Sequence, residues 1–217
     1  MRYQLAIFDL DGTILDTLED MYRCVNYILQ KNHLPGRTRS EIRQFVGNGI
    51  RKLIERSVPA DLSDPERIDQ VHRDFMVYYQ QHYADYTAPY EHIPEVIRAL
   101  RKSGIRTAVV SNKADYAVQS LCETYFPGLF DSVAGEKNGI RRKPAPDSVL
   151  AVLEHLQIHP EQAIYIGDSD VDIQTAQNAG IPCISVTWGF RDREFLLKHH
   201  AQTLIAEPQE LLGLLLK

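Results

Sequence analysis

Hydrophobic and polar positions change period along the chain. Leu5 to Phe8 is an unbroken apolar run closed by Asp9-Leu10-Asp11-Gly12, the pattern of a buried strand running into a turn. From Leu18 the period becomes helical: Leu18, Tyr22, Val25 and Leu29 recur on one face, with Met21 and Ile28 beside them. Thr38 and Glu41 have the spacing of a capping box and open a short helix through Ile42, Phe45 and Val46. Gly47-Asn48-Gly49 interrupts the pattern, and Ile50, Leu53 and Ile54 resume it. Asp64-Pro65 joins an N-cap to a proline at the first helical position, and Ile68, Val71, Phe75, Tyr78 and His82 mark one stripe of a long helix. Between residues 17 and 83 no stretch alternates as a strand does.

Ala84 to Pro94 has no sustained period and reads as a connector. Beyond it strands and helices alternate. Strands are expected at Arg106–Val110, Asp131–Ala134, Ala163–Ile166, Cys183–Val186 and Thr203–Ala206. Helices are expected from Pro94 to Ser103, around Val118, Leu121, Cys122 and Tyr125, around Leu150, Leu153 and Leu156, up to Gly180, and at the C-terminus. This alternation predicts an α/β class protein: a Rossmann-like parallel sheet core covered by helices on both faces. The block at 17–83 reads as an inserted all-α cap domain, and residues 1–16 with 84–217 as the core. The chain leaves the sheet for that block at Gly12 to Asp16.

Composition narrows the function classes. A chain of 217 residues with 44% hydrophobic and 24% charged residues can bury a full core. Net charge is −5, and Arg141-Arg142-Lys143 is the longest basic run, so no nucleic-acid partner is expected. No stretch approaches a membrane span, and the first apolar run ends in aspartates rather than a signal-peptide cleavage pattern, so no membrane association is expected and the cytoplasm is the expected compartment. Cys24, Cys122 and Cys183, odd in number and far apart, read as buried reduced thiols. His199-His200 reads as a solvated helix face. No sequence pattern specifies an oligomeric state.

In an open parallel sheet, ligands bind beyond the carboxyl ends of the strands. Asp9 and Asp11 follow the first strand, Ser111 and Asn112 the second, and Asp168 and Asp172 a later one, while Lys143 lies in the loop before a helix. Each has an ordinary alternative: Ser111 as a helix N-cap, Lys143 as a solvated lysine, Asp168 as a turn residue, Asp172 as an acid favoured at a helix N-terminus. Their recurrence at one kind of position argues for a shared site. Residues i and i+2 on a strand face one side, so Asp9 and Asp11 would aim into one volume if the extended geometry persisted, a conflict resolved by a proton or a cation. The chemistry that uses this set is phosphoryl transfer to a carboxylate. Asp9 would attack phosphorus, Asp11 would protonate the leaving oxygen and then activate water, and Lys143 and Ser111, with N–H groups at the start of the following helix, would bind the phosphoryl group. Magnesium suits the oxygen donors, with Asp9 and Asp168 as ligands. The partner is then a small phosphorylated metabolite.

Phe8-Asp-Leu-Asp-Gly-Thr-Ile-Leu-Asp16, Val110-Ser-Asn-Lys113, Lys143-Pro-Ala-Pro-Asp147 and Gly167-Asp-Ser-Asp-Val-Asp172 occur in an order that resembles the haloacid-dehalogenase-like hydrolases with a helical cap after the first strand. That resemblance implies Asp9 as nucleophile and Asp11 as acid–base, with the Asp11 carbonyl and Asp168 on magnesium. It implies Ser111, Asn112 and Lys143 as the substrate-binding set, and Asp172 in the metal set with Asp9, Asp11 and Asp168, supporting the metal waters or Lys143. The presence of Asp11 disfavours dehalogenation, because the dehalogenases lack a second aspartate there. Phe45-Val-Gly-Asn-Gly49, Ala176 to Gly180 and Val186-Thr-Trp-Gly-Phe-Arg191 resemble phosphoglycolate phosphatases. Pyrophosphate- or nucleotide-directed members and sugar phosphomutases of the same family are alternatives. A phospho-aspartate switch or binding module is the non-enzyme alternative. Gly47-Asn48-Gly49 is either a plain helix break or a loop closing over substrate. Arg43, Arg51 and Lys52 lie near enough to it to meet an anion. Trp188 and Phe190 read as packing residues.

Overall fold

The computed structural model describes residues 3–216, so the outermost expected positions, Met1, Arg2 and Lys217, lie outside the described residues. The chain forms two compact units: Met1–Leu15 with Pro89–Lys217, and Asp16–Ala88.

In the first unit, Leu5–Phe8 forms β1, every residue of which is buried. The second unit begins within the short strand Leu15–Asp16 (β2). It contains helices Leu18–Lys31 (α1), Arg39–Phe45 (α2), Ile50–Ser57 (α3) and Pro65–His82 (α4). Ala88–Pro89 (β3), inside the expected connector, pairs with β2. The first unit resumes with Ile93–Lys102 (α5), Arg106–Ala114 (β4), Asp115–Tyr125 (α6), Ser132–Glu136 (β5) and Asp147–Leu156 (α7). It ends with Ala163–Gly167 (β6), Asp170–Ala179 (α8), Cys183–Val186 (β7), Arg193–Lys198 (α9), Thr203–Ile205 (β8) and Glu210–Leu215 (α10).

Six strands form one parallel sheet in the order β5-β4-β1-β6-β7-β8. β1 lies inside it, with Phe8 beside Val109 of β4 and Ile166 of β6. The chain builds outward from β1 on one side, then returns to build on the other. β1 is therefore the point where the order reverses, and a crevice opens at the carboxyl ends of its neighbours. Leu5, Ile7, Ala108, Val110, Ala163 and Tyr165 pack on one face against Val149, Val152 and Leu153 of α7 and Ala176 and Ala179 of α8. The intervening residues Ala6, Phe8 and Val109 are fully buried as well. Burial on both faces is why these strands read as continuous apolar runs rather than alternating ones.

The second unit is a helical block. Its capping box is formed: the Glu41 N–H donates to Thr38 Oγ1 at 3.2 Å, and the Thr38 N–H donates to Glu41 Oε2 at 2.7 Å. Asp64 caps α4 through the Arg67 N–H at 2.9 Å. The buried stripe of α4 is Val71, Phe75 and Tyr79. Tyr78 and His82, expected on that stripe, occupy the next row and form a stacked column with Tyr27 of α1, at 4.0 and 4.2 Å between centroids. Steps of four residues keep 71, 75 and 79 in register, while a three-residue step leads into the neighbouring row.

Four local readings are corrected. Leu150 is 44% exposed, and α7 buries Val149, Val152 and Leu153 instead. β4 runs on through Ser111-Asn112-Lys113, and the next helix starts only at Asp115, so Ser111 is a strand residue and not a helix N-cap. His199 and His200 end the unexpected short helix α9, with His200 at φ 66°. Cys24 and Cys122 are buried, but Cys183 is only half-buried. Among the described residues no helix is long and apolar enough to cross a membrane.

Candidate active site

β1 stops at Phe8, so the extended geometry that would aim Asp9 and Asp11 the same way is not maintained. Asp9 turns into the crevice, 9% exposed, and its Oδ1 accepts from the Leu10 N–H at 2.7 Å. It is joined by Asp168, from the end of β6, and Asp172, from the first turn of α8. The three buried carboxylates each offer an oxygen within 4.8 Å of the others. Asp11 stands outside this trio. Its carboxylate pairs with Lys113, whose Nζ donates to Oδ1 at 2.9 Å. The charge conflict at Asp9 therefore comes more from Asp172 and Asp168 than from Asp11.

Lys143, 4% exposed, reaches into the trio. Its Nζ contacts Asp9 Oδ1 at 2.9 Å, Asp172 Oδ1 at 2.8 Å and the Tyr165 hydroxyl at 2.9 Å, one partner for each of its three protons. Tyr165 in turn donates to the Val110 carbonyl at 2.9 Å. Burial pulls the Lys143 ammonium toward neutrality, but the Asp172 and Asp9 carboxylates outweigh it and hold its pKa well above the ordinary lysine value. Asn112 fixes the backbone of the same residue: its Oδ1 accepts from the Lys143 N–H at 2.8 Å, and its Nδ2 donates to the Lys143 carbonyl at 3.0 Å. Asp172 Oδ2 accepts from the Ser169 N–H at 3.1 Å and hydroxyl at 2.6 Å, so both of its oxygens are engaged. Ser111 is buried, and its Oγ accepts from the Lys113 N–H at 3.2 Å.

Asp168 is gripped from two loops. The Phe190 N–H donates to Oδ2 at 2.6 Å, and the Thr13 hydroxyl donates to Oδ1 at 3.3 Å. Trp188 Nε1 donates to the Thr13 carbonyl at 3.0 Å, tying the loops together. Gly12, at φ +83°, lies so close to Asp168 that a Cβ there would sit 2.5 Å from the carboxylate. Gly189 meets the Gly12 carbonyl with no room for a side chain. Both glycines are required by close approach.

Three carboxylates and one ammonium leave the crevice with excess buried negative charge. Burial raises Asp9 well above the usual carboxylate range, with Lys143 pulling it back in part. Burial, helped by Asp172, pushes Asp168 up to about 7. A hard divalent cation fits this set of oxygen donors and would relieve the charge.

The structure brings together Asp9, Lys143, Asp168 and Asp172, with Asn112 and Tyr165 behind Lys143. It sets Asp11 against Lys113 on the flank. Lys113 and Tyr165 were missed as site residues. Tyr165 was signalled only as a polar-tipped side chain in an otherwise apolar strand, and Lys113 only by its place at the end of Val110-Ser-Asn-Lys113. In the helical block, Arg51 pairs with Glu55 at 3.1 Å and with Asp69, and Lys52 with Glu55 at 2.6 Å, so both cations are engaged within their own unit.

Comparison with known proteins gives the family. The model for haloacid dehalogenase-like hydrolases matches residues 6–186. The chain belongs to the haloacid dehalogenase-like hydrolases. A phosphoglycolate phosphatase of Aquifex aeolicus is 30% identical over 192 residues, covering 86% of this hydrolase and 86% of its own length. An N-acetylmuramic acid 6-phosphate phosphatase of Pseudomonas aeruginosa is 29% identical over 217 residues, covering 99% and 96%. The crystal structure of a candidate phosphoglycolate phosphatase from Lactobacillus delbrueckii subsp. bulgaricus superposes with a TM-score of 0.95, at 36% identity and 99% coverage of both chains. The hydrolase thus shares its whole fold, and not only its motifs, with phosphatases of small molecules.

Proposed function

We propose that this hydrolase is a magnesium-dependent phosphatase that cleaves a small phosphomonoester through an aspartyl-phosphate on Asp9, with 2-phosphoglycolate the leading substrate. The observation that carries the reading is a buried Asp9 at the end of β1, held by Lys143 in a crevice shared with Asp168 and Asp172. The chain is a phosphoric monoester hydrolase. Its relatives at 30% and 29% identity act on phosphoglycolate and on N-acetylmuramic acid 6-phosphate, both small phosphate monoesters.

Asp9, Asp168 and the Asp11 backbone carbonyl are the groups proposed to hold magnesium. The ion would supply positive charge to a phosphate that a carboxylate must approach. Asp9 attacks phosphorus. Lys143 adds the second positive charge beside the nucleophile and the transferring group, and Ser111 offers its hydroxyl to a phosphoryl oxygen. Asp11 gives a proton to the departing oxygen and takes one from the water that frees Asp9. Asp172, with both oxygens engaged, orients Lys143 rather than serving the metal first. Asn112, engaged on the Lys143 backbone, sets that loop rather than reading substrate. The helical block is proposed as the cap that selects substrate.

The test is phosphate release from 2-phosphoglycolate, N-acetylmuramic acid 6-phosphate and a panel of sugar and nucleotide monophosphates, with magnesium and with EDTA. Magnesium-dependent release with a phosphomonoester leading by kcat/KM is expected. Turnover unaffected by EDTA would overturn the mechanism. If 2-phosphoglycolate ranks low, the substrate changes and the chemistry stands.

A second prediction follows from Asp168. Its carboxyl holds a proton to about pH 7 in the metal-free folded protein, against 3.8 for an ordinary aspartate. The folded state therefore binds the extra proton between those values, and stability falls as pH rises through this window. Magnesium competes with that proton and relieves the cost when the carboxylate is ionised. The gain in Tm on adding magnesium to EDTA-treated protein is expected to be larger at about pH 7.5 than at about pH 5.5. Equal gains, or a larger one at the lower pH, would count against Asp168 as a ligand.

A further inference from the structure

Lys113 lies in the last turnless stretch of β4, where the pairing with β5 changes register between Val110 and Ala114. Such an irregularity re-aims successive side chains. The Lys113 side chain is fully buried, with 0% exposure, and its ammonium donates to Asp11 Oδ1 at 2.9 Å. Removing an ammonium from water costs several kcal/mol unless partners compensate it. A core strand needs no lysine for packing, so its presence against Asp11 calls for a reason. Lys143 already serves Asp9 and Asp172.

We propose that Lys113 is a positioning residue for Asp11: it anchors Oδ1 so that Oδ2 faces the leaving oxygen of the substrate. This rests on the phosphatase reading above and deepens it. In the first step an Asp9 oxygen bonds to phosphorus, the ester O–P bond breaks, and Asp11 gives its proton to the departing oxygen. In the second, water attacks the phosphorus of the aspartyl-phosphate, its proton passes to Asp11, and the bond to Asp9 breaks. Protons balance over the cycle, and Asp11 must keep one orientation through both steps. Asp11 sits in a tight turn, with the Gly12 N–H donating to the Leu15 carbonyl at 2.9 Å, so its backbone is held locally. Lys113 completes the hold at the side chain.

The experiment compares kcat/KM for 2-phosphoglycolate and for 4-nitrophenyl phosphate, both with magnesium. This ratio reports steps up to departure of the leaving group. An alkoxide needs the proton from Asp11, and nitrophenolate leaves without it. Lys113→Met is expected to lower kcat/KM for 2-phosphoglycolate by about 10- to 100-fold, and for the aryl ester by less than about 3-fold. Lys113→Arg is expected to restore the ratio to within about 3-fold of wild type. In an Asp11→Asn background, adding Lys113→Met is expected to change the ratio by less than about 2-fold. Circular dichroism and thermal unfolding report folded enzyme in each variant. If Lys113→Met does not fold, Lys113→Gln, which keeps a donor without charge, carries the same comparison. Parallel losses on both esters would overturn the positioning role and leave the phosphatase reading intact. If another alkyl phosphate leads the panel it replaces 2-phosphoglycolate in the comparison, and a wild type that cleaves no phosphomonoester overturns both.

Discussion

Asp9→Asn is expected to abolish turnover, lowering kcat by about 10⁴-fold or more, the scale on which loss of a nucleophile is felt. Asparagine matches aspartate in shape, so the crevice keeps its packing while the attacking oxygen is lost. The same change removes one of the two buried carboxylates that pair with Lys143, in a crevice that also holds Asp168. Burial raises the Asp9 pKa, so the folded metal-free protein carries the cost of ionising it at neutral pH, and asparagine relieves that cost. The metal-free variant is therefore expected to melt at or above the wild-type temperature while being inactive. Activity and stability then move in opposite directions, as they do where a charged site is kept for its chemistry. Phosphate release and thermal unfolding in EDTA check both halves. Turnover above about one-hundredth of wild type would remove Asp9 as the nucleophile.

Lys143→Met should move both quantities the same way. The ammonium has Asp9, Asp172 and Tyr165 as partners, all buried, and the chain around it is fixed by Asn112. Methionine fills similar volume but leaves two carboxylates without their cation. Removing one partner of a buried pair costs about 3–5 kcal/mol. Loss of a positive charge aimed at the transferring group should lower kcat by a further factor of about 10²–10³. The double variant Lys143→Met/Asp172→Asn should recover part of the stability, because one orphaned charge is gone, and none of the activity. Urea unfolding and phosphate release on the three proteins decide it. A Lys143→Met protein within about 1 kcal/mol of wild type would show that the lysine is not the charge partner of this crevice.

Much of this site was legible before any tertiary information. Asp9 and Asp168 each follow an apolar run that ends in a turn, and a parallel sheet puts such ends on one edge. Lys143 was legible only as the lysine of a motif, since nothing local separates it from the adjacent Arg142. The Asp9–Asp11 pairing was expected for a sound local reason, the two-residue repeat of a strand, and did not hold because β1 ends at Phe8. Asn112 stands beside Ser111 in sequence, yet its amide holds the Lys143 backbone, thirty-one positions away.

Local patterning alone marked the apolar runs that form strands and the block that is helical. Periodicity is a local property, set by the geometry of each element and its own hydrophobic stripe. The partners follow from the folded topology. Strand order placed β4 and β6 on either side of β1, and so brought Lys113 to Asp11 across 102 positions and Thr13 to Asp168 across 155. Charges in a crevice act over a few ångströms of space, whatever the distance along the chain, and the chain order holds no record of which carboxylate a buried lysine will meet.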